Sequence, residues 1–338
     1  MKIRDMYGPW SEPHRSTTLV NVSAFDDTRG ILSPAEMRRH VDFRRFAAPA
    51  EFDGLLDFCW SVEWSFASEP AEQPRLPDGE ATSPPERAPL FHRQRVVSRP
   101  AVNISVGVAP PPDVDVPGPH PLRAVVNGVT TKVQSRFLSG TGWNLAAKTT
   151  TGGFGAWVDR VGDLNDRVVP IHEVLGIEVE SLPHRIAEIR AEVGSGAQSR
   201  SVMLSTCCSV LVDALGRALE RADPRRVPIA REVSRIADIA EHDRSVRRVD
   251  ELATIAGVTP RTLQRQFASF AGVSPTWVIR RYRLLDAAEL ARDGAEVDWS
   301  AVAAELGYAD QSHLIREFTA AIGRSPAAYL RDQRAMRR

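Results

Sequence analysis

Two short polar sets near the C-terminus have residue types and spacings that suit hydrogen bonding to an extended ligand. Within each set the side chains recur three or four positions apart, so on a helix most of them would share one face. The two sets are Arg261, Gln264 and Arg265, and Gln311, Ser312, His313 and Arg316.

These side chains offer the chemistry of base reading. Arginine can donate two hydrogen bonds to guanine, glutamine can pair with adenine, and serine or histidine can bond bases or phosphates. The plainer alternative is that both sets are solvated faces of ordinary helical hairpins, because helix-turn-helix patterns match many helical proteins by chance.

The elements around the two sets repeat, which favours the first interpretation. "AGVTPRTLQRQFASFAGVSPTWVI" and "LGYADQSHLIREFTAAIGRSPAAYL" align with one extra residue near Tyr308. The matched positions are Gly257, Leu263, Phe267, Gly272, Ser274 and Pro275 in the first stretch and Gly307, Leu314, Phe318, Gly323, Ser325 and Pro326 in the second.

Each stretch predicts a short helix, a turn at a glycine and a second helix. Gly257 and Gly307 suit the left-handed backbone just past a helix end. Thr259 and Asp310 are good N-caps for the second helices, and Pro260 suits a first helical position. The pattern is a helix-turn-helix, present twice.

Residues 274–294 lie between the two units and predict a linking helix. About 18 helical residues span roughly 27 Å, and successive major grooves lie roughly 34 Å apart. A rigid helix of this length would let one chain place both second helices in adjacent major grooves. The candidate phosphate contacts are Thr259, Thr262, Arg280, Arg281, Arg283, Arg324, Arg331, Arg334, Arg337 and Arg338.

The region from about Pro228 to Leu330 resembles the DNA-binding domain of the AraC/XylS family of bacterial transcription regulators. The resemblance is carried by "VDELATIAGVTPRTLQRQFASFAGVSPTWVIRRYRLLDAAELARDG" and "DWSAVAAELGYADQSHLIREFTAAIGRSPAAYL". It implies seven helices in two helix-turn-helix subdomains joined by a long helix, with base-reading helices at residues 260–270 and 310–321. Leu314 stands where the family often has phenylalanine, a conservative change in the core.

The N-terminal part has a different character. Phe58, Trp60, Val62, Trp64 and Phe66 alternate within residues 55–66 and predict a strand. Residues 42–150 read as a β-rich barrel or sandwich that resembles cupin-like sensor domains, and helical segments follow it.

The expected fold class is therefore α+β, with an all-α C-terminal domain. We expect a flexible leader at 1–40, a regulatory domain for effector binding or dimerisation at 41–221, a linker at 222–228 and the DNA-binding domain at 229–334.

No catalytic, cofactor or metal site is predicted. The histidines before residue 222 show no paired ligand spacing, and the segments "SGTGWN" and "TTGGFG" lack the lysine of a phosphate loop. Three cysteines, Cys59, Cys207 and Cys208, are too few for a disulfide framework. Trp60, Trp64 and Trp143 are candidates for lining an apolar effector pocket, with plain core packing as the alternative.

Bulk composition limits the partners. The 43 basic and 43 acidic residues balance, so net charge alone predicts neither a nucleic-acid nor a membrane partner. With no signal peptide or apolar span recognised, we expect a cytoplasmic protein. The expected partner is double-stranded DNA, with RNA polymerase, a small effector and a second copy of the chain as further candidates. The alternative function is a small-molecule enzyme or binding protein whose helical domain serves protein interaction only.

Overall fold

The computed structural model of the chain describes residues 21–22, 37, 39, 41–66, 91–108, 120–178, 181–192, 197–292 and 297–336. Residues 21–220 form an N-terminal domain built on antiparallel β-structure, and residues 226–336 form an all-helical C-terminal domain. The expected α+β class is thus confirmed.

Nine strands of the described residues make up the β-structure of the N-terminal domain. Seven pair in one antiparallel sheet in the order β1-β2-β3-β8-β5-β6-β9, and β4 pairs with β7 in a separate ribbon. Their bounds are β1 Asn21–Val22, β2 Val41–Ala47, β3 Leu56–Ser65, β4 Phe91–Val96, β5 Asn103–Gly107, β6 Arg123–Asn127, β7 Gln134–Ser139, β8 Thr141–Thr149 and β9 Val168–Pro170.

Strand β3, Leu56–Ser65, confirms the strand predicted within residues 55–66. It runs between β2 and β8, with Trp60 opposite Arg45 on one side and Ala146 on the other. Large apolar side chains on a strand need small neighbours, and Gly142 of β8 supplies one, because a Cβ there would lie 2.3 Å from the ring of Trp64. Within residues 96–108 and 122–137 the extended backbone is interrupted, so each segment contributes to two strands.

Within the described residues, three α-helices follow the sheet, namely α1 Ile171–Leu175, α2 Ser181–Ala191 and α3 Ala197–Glu220. Within α3, the segment Gln198–Glu220 is long and apolar enough to span a bilayer by length and composition, and 56% of its apolar 18-residue stretch is buried inside the protein. The helix packs against α2 and strands β3 and β8. This packing is that of a core helix.

The C-terminal domain contains seven helices within the described residues. They are α4 Arg226–His242, α5 Val249–Ala256, α6 Pro260–Phe270, α7 Pro275–Arg292, α8 Trp299–Glu305, α9 Gln311–Ile322 and α10 Pro326–Met336. Helices α5 and α6 form the first helix-turn-helix unit, and α8 and α9 form the second. Helix α7 is the linking helix, with the 18 residues that the sequence indicated.

The two domains pack directly against each other. Helix α4 begins at Arg226, inside the stretch 222–228 that the sequence suggested as a linker, and Pro228 is accommodated in its first turn. The helix lies on the 3-10 turn Gly153–Ala156 of the N-terminal domain. One continuous cluster of buried apolar residues runs through both domains. The C-terminal domain is therefore packed against the N-terminal domain and is not joined to it by a linker alone.

Candidate nucleic-acid interface

The first unit has the turn geometry that the sequence predicts. Gly257 ends α5 with φ 68°, in the left-handed region where glycine is favoured. Thr259 caps α6, and its hydroxyl accepts a hydrogen bond from the Thr262 amide at 3.2 Å. Leu263 and Phe267 are fully buried, which fixes the face that α6 turns to the core.

The opposite face of α6 is exposed. Arg261, Gln264 and Arg265 are all on the surface. None of the three forms a hydrogen bond or an ion pair with any residue that the structure describes. Two guanidinium groups and one carboxamide are therefore available to an external partner, at the N-terminal half of the helix where such helices meet base edges.

The second unit repeats this arrangement. Gly307 has φ 78° after α8, and the Asp310 carboxylate accepts a hydrogen bond from the His313 amide at 2.7 Å to cap α9. Leu314 and Phe318 are fully buried, with Phe318 edge-on to Trp299 at 6.2 Å between ring centroids.

On the outer face of α9, Ser312 and Arg316 are exposed. Gln311 is exposed as well, but its side-chain oxygen accepts a hydrogen bond from the Ser300 hydroxyl at 3.0 Å. That bond joins the start of α9 to α8, and it leaves the NH2 group of Gln311 to donate elsewhere.

His313 is held within the protein. Its Nδ1 accepts a hydrogen bond from the Ala309 amide at 3.4 Å, and its Nε2 lies 3.0 Å from Glu317 Oε1. The ring stands edge-on to Tyr308, with centroids 5.4 Å apart. Burial raises the pKa of the Tyr308 hydroxyl well above its ordinary value. With both ring nitrogens engaged, His313 braces the turn of the second unit, and its suitability as a base reader is lower than that of Arg316.

The candidate phosphate contacts fall into two groups. Thr259, Thr262 and Arg280 lie at the surface or partly so; Arg280 is 3.4 Å from Glu317, and the two threonine hydroxyls are 2.9 Å apart. Arg324 is half-exposed and pairs with Asp332. Arg331 and Arg334 are exposed, whereas Arg337 and Arg338 lie outside the described residues.

Arg281 and Arg283 form the second group and are buried, which corrects their assignment as phosphate contacts. Arg281 is 5% exposed; it donates to the Thr131 carbonyl at 2.6 Å and stacks on Trp277. Burial lowers the pKa of Arg281 to about 10. Arg283 is 2% exposed and donates to Asp286 and to two carbonyls near the end of α4. Neither guanidinium is accessible to a phosphate in this structure.

Sequence reasoning missed a set of contacts between the two units. Arg247, before α5, donates to the Glu305 carbonyl at the end of α8 at 2.9 Å. Arg244 lies 3.6 Å from the Glu305 carboxylate and 3.8 Å from that of Asp286. No local pattern marks these arginines, because their partners are about 40 to 60 positions away along the chain.

The first unit also contacts the N-terminal domain. At the end of α6, the Ser269 hydroxyl donates to the Asp159 carbonyl at 2.9 Å. Just beyond it, the Gly272 carbonyl accepts a bond from the Asn165 amide at 2.6 Å. In α7, the Tyr282 hydroxyl lies 2.8 Å from that of Thr151. Helix α6 is therefore fixed at its C-terminal end while its polar face stays exposed.

A polar cavity of about 70 Å³ lies between the domains. Ion pairs cross its walls, with Arg99 2.6 Å from Glu241 of α4, and Asp57 2.9 Å from Lys148. The three tryptophans suggested for an effector pocket do not line it. Trp60 bonds Asn103, Trp64 bonds the Ser139 carbonyl, and Trp143 lies beneath the Arg190 guanidinium.

The three cysteines are buried free thiols. Burial raises the pKa of Cys207 to about 11. In the part of the chain that the structure describes, no group of three or more His, Cys, Asp or Glu side chains is arranged to hold a metal ion.

Comparison with known proteins identifies the C-terminal region. Residues 252–332, about a quarter of the chain, match the family model described as "Helix-turn-helix domain". This region is an AraC-type helix-turn-helix domain. The match begins in α5 and ends in α10, so it includes both units and the linking helix. No curated protein matches the chain.

Solved structures of ToxT from Vibrio cholerae resemble the chain distantly. ToxT from Vibrio cholerae O395 is 12% identical with a TM-score of 0.33, covering 71% of this chain and 97% of ToxT. Wild-type ToxT bound to an unsaturated fatty acid is 12% identical with a TM-score of 0.33, covering 68% and 86%. ToxT bound to (E)-4-(8-methylnaphthalen-1-yl)but-3-enoic acid is 12% identical with a TM-score of 0.35, covering 72% and 98%.

Proposed function

We propose that this chain is a sequence-specific, double-stranded DNA-binding transcription regulator in which α6 and α9 read bases in adjacent major grooves. One observation carries the proposal. Both second helices of a tandem helix-turn-helix domain present exposed side chains with base-reading chemistry, and the arginines among them, Arg261, Arg265 and Arg316, have no ion-pair partner among the described residues.

The reading mechanism follows from these side chains. Arg261, Gln264 and Arg265 of α6 select bases at one half-site, and Arg316 with Ser312 and Gln311 of α9 selects bases at the other. His313 supports α9 from beside this face. Thr259, Thr262, Arg280 and Arg324 hold phosphates, which fixes the register without reading sequence.

The N-terminal domain is the regulatory part in this proposal. It forms hydrogen bonds with the C-terminal end of α6 and with the linking helix through Asn165, Asp159 and Thr151. A change in the sheet domain therefore reaches the first unit directly. A small-molecule effector, RNA polymerase and a second copy of the chain are proposed partners of this domain or of the whole chain. No catalytic step is part of the mechanism.

Salt dependence separates DNA binding from the alternative, a helical domain used for protein interaction only. For a protein that neutralises DNA phosphates, the logarithm of the binding constant falls linearly with the logarithm of the salt concentration. We expect fluorescence anisotropy of the full chain on labelled duplex DNA to show that slope, together with tighter binding to selected than to scrambled duplexes. Absence of binding to any duplex at low salt would instead favour the interaction module.

Tryptophan fluorescence and the melting temperature test whether a small-molecule effector binds in a pocket lined by the tryptophans. If Trp60, Trp64 and Trp143 line its pocket, ligand binding changes tryptophan fluorescence and raises the melting temperature, since a ligand that binds only the folded state stabilises it. A broad ligand panel that leaves the melting temperature and the emission unchanged would count against this pocket.

A further inference from the structure

The two helix-turn-helix units touch each other at a place separate from the linking helix. The contact, which we name the junction, consists of Arg244 and Arg247 from the segment between α4 and α5, Arg283 and Asp286 from α7, and Glu305 at the end of α8. Its first part is the hydrogen bond from Arg247 to the Glu305 carbonyl at 2.9 Å.

The Arg247 contact suits both partners. Glu305 is the last residue of α8, where helix carbonyls have no partner within their own helix, so a guanidinium satisfies one of them. The stem of Arg247 also packs on the turn of the second unit, because a Cβ on Gly307 would lie 2.8 Å from Arg247 Cδ. Arg247 therefore reaches from the entrance of the first unit to the turn that precedes the second reading helix.

Arg283, which is buried, binds the segment between α4 and α5 that carries Arg244 and Arg247. Its guanidinium donates to the carbonyls of Ala240 at 2.8 Å, Asp243 at 2.7 Å and Val246 at 3.3 Å. It also donates to Asp286 at 2.9 Å, within α7. Since α5 begins three residues after Val246, the start of the first unit is fixed to the linking helix at this point.

The junction fixes the two reading helices relative to each other by two routes at once. Arg283 ties the first unit to α7, and Arg244 and Arg247 tie it directly to the second unit. On DNA, a shift of one base pair moves a half-site about 3.4 Å along the axis and rotates it by roughly one-tenth of a turn. A pair of reading helices that cannot adjust will accept one spacing and reject its neighbours.

We propose that Arg244 and Arg247, with Arg283 behind them, are positioning residues that set the spacing between the two half-sites that this protein accepts. The inference rests on the proposed function. Arg244 and Arg247 would then determine specificity without contacting a base. Their role would differ from phosphate binding, although both are exposed.

The test compares two double variants of the full chain on duplexes that carry both half-sites, with the spacing changed by −2 to +2 base pairs. The test variant is Arg244→Ala with Arg247→Ala. The matched control is Arg235→Ala with Arg248→Ala, whose ion pairs with Glu232 and Glu251 stay within α4 and at the start of α5, and do not reach the second unit. Both variants lose two positive charges, so the change in net charge is the same.

We expect the wild-type protein and the control to bind the preferred spacing at least about tenfold more tightly than spacings one base pair away, since misplacing one reading helix loses several base contacts. The test variant should reduce that preference to about threefold or less, while its affinity for a duplex with a single half-site equals that of the control. Arg283→Met, where it folds, should broaden the profile in the same way.

A test variant with a spacing profile as sharp as that of the control would overturn the positioning role and leave the proposed function standing. If the wild-type protein prefers no half-site at all, the proposed function fails, and the positioning role fails with it.

Discussion

Replacing Arg283 by methionine tests whether the buried guanidinium holds α4 and α7 together. Arg283 is 2% exposed, and its three shortest hydrogen bonds are to Asp286, the Ala240 carbonyl and the Asp243 carbonyl, at 2.7 to 2.9 Å. Methionine keeps much of the apolar stem, so little of the effect comes from a cavity. It removes every donor and leaves the Asp286 carboxylate buried without this partner.

Breaking a buried ion pair from one side costs about 3–5 kcal/mol. We therefore expect Arg283→Met to lower the free energy of unfolding by that amount, measured on the full chain by urea denaturation. The control is Arg280→Met on the same helix, whose half-exposed pair with Glu317 should contribute less than about 1 kcal/mol. A double variant, Arg283→Met with Asp286→Leu, should be more stable than Arg283→Met alone, because the buried Asp286 carboxylate is removed together with its guanidinium partner.

Equal losses for Arg283→Met and Arg280→Met would show that the buried guanidinium does not hold α4 and α7 together, since an exposed arginine would then contribute as much as a buried one. A double variant no more stable than the single would show that Asp286 is not the source of the cost.

Three further predictions concern packing and titration. Gly155→Ala should destabilise the protein by about 1–3 kcal/mol, because the new Cβ would lie 2.4 Å from Phe270 Cδ1 across the domain interface. Gly216→Ala within α3 should stabilise it by about 0.5–1 kcal/mol, since its nearest neighbour, Phe52, is 3.5 Å away and alanine favours helix; paired thermal melts that ranked the two variants the other way would contradict this packing. Cys207 should resist thiol reagents in the native state at pH 8, because burial raises the pKa of its thiol to about 11. The stability that its buried neutral form contributes should be lost as pH rises from about 9 through 11. Rapid labelling at pH 8, or a free energy of unfolding that does not change between pH 9 and 11, would show that the thiol is not held neutral.

Local patterns predicted the helix-turn-helix units well. Gly257, Thr259 and Pro260 act through backbone preferences within a few residues, and Leu263 with Phe267 follow the helical period. Such features depend little on distant parts of the chain, so the turns, caps and buried faces of the units are in the structure where the sequence put them.

The burial of the arginines on α7 was not predictable in the same way. Arg280, Arg281 and Arg283 look alike in sequence, yet only Arg280 is exposed. The helix is covered on several sides, by α4, α6 and α10. It carries no single apolar stripe from which the inner face could be read. Which arginine is buried depends on partners such as Thr131 and Ala240, which are 150 and 43 positions away.

The domain interface was hidden from sequence for the same reason. Proline and charge at 222–228 suggested a linker, but Arg226 begins a helix and donates to the carbonyls of Gly155 and Val158, both at 2.8 Å. A polar segment is exposed to solvent only where no other part of the chain packs on it. Here backbone carbonyls of the N-terminal domain accept the hydrogen bonds of Arg226.

Selection from random duplex DNA tests whether both units read bases. The full chain, Arg265→Ala and Arg316→Ala would each be used to enrich duplexes, and the enriched sequences compared. We expect two short motifs about one helical turn apart in the wild-type pool, with Arg265→Ala losing preference at one motif only and Arg316→Ala at the other only. Enrichment of no motif, or loss of the same motif in both variants, would contradict this expectation.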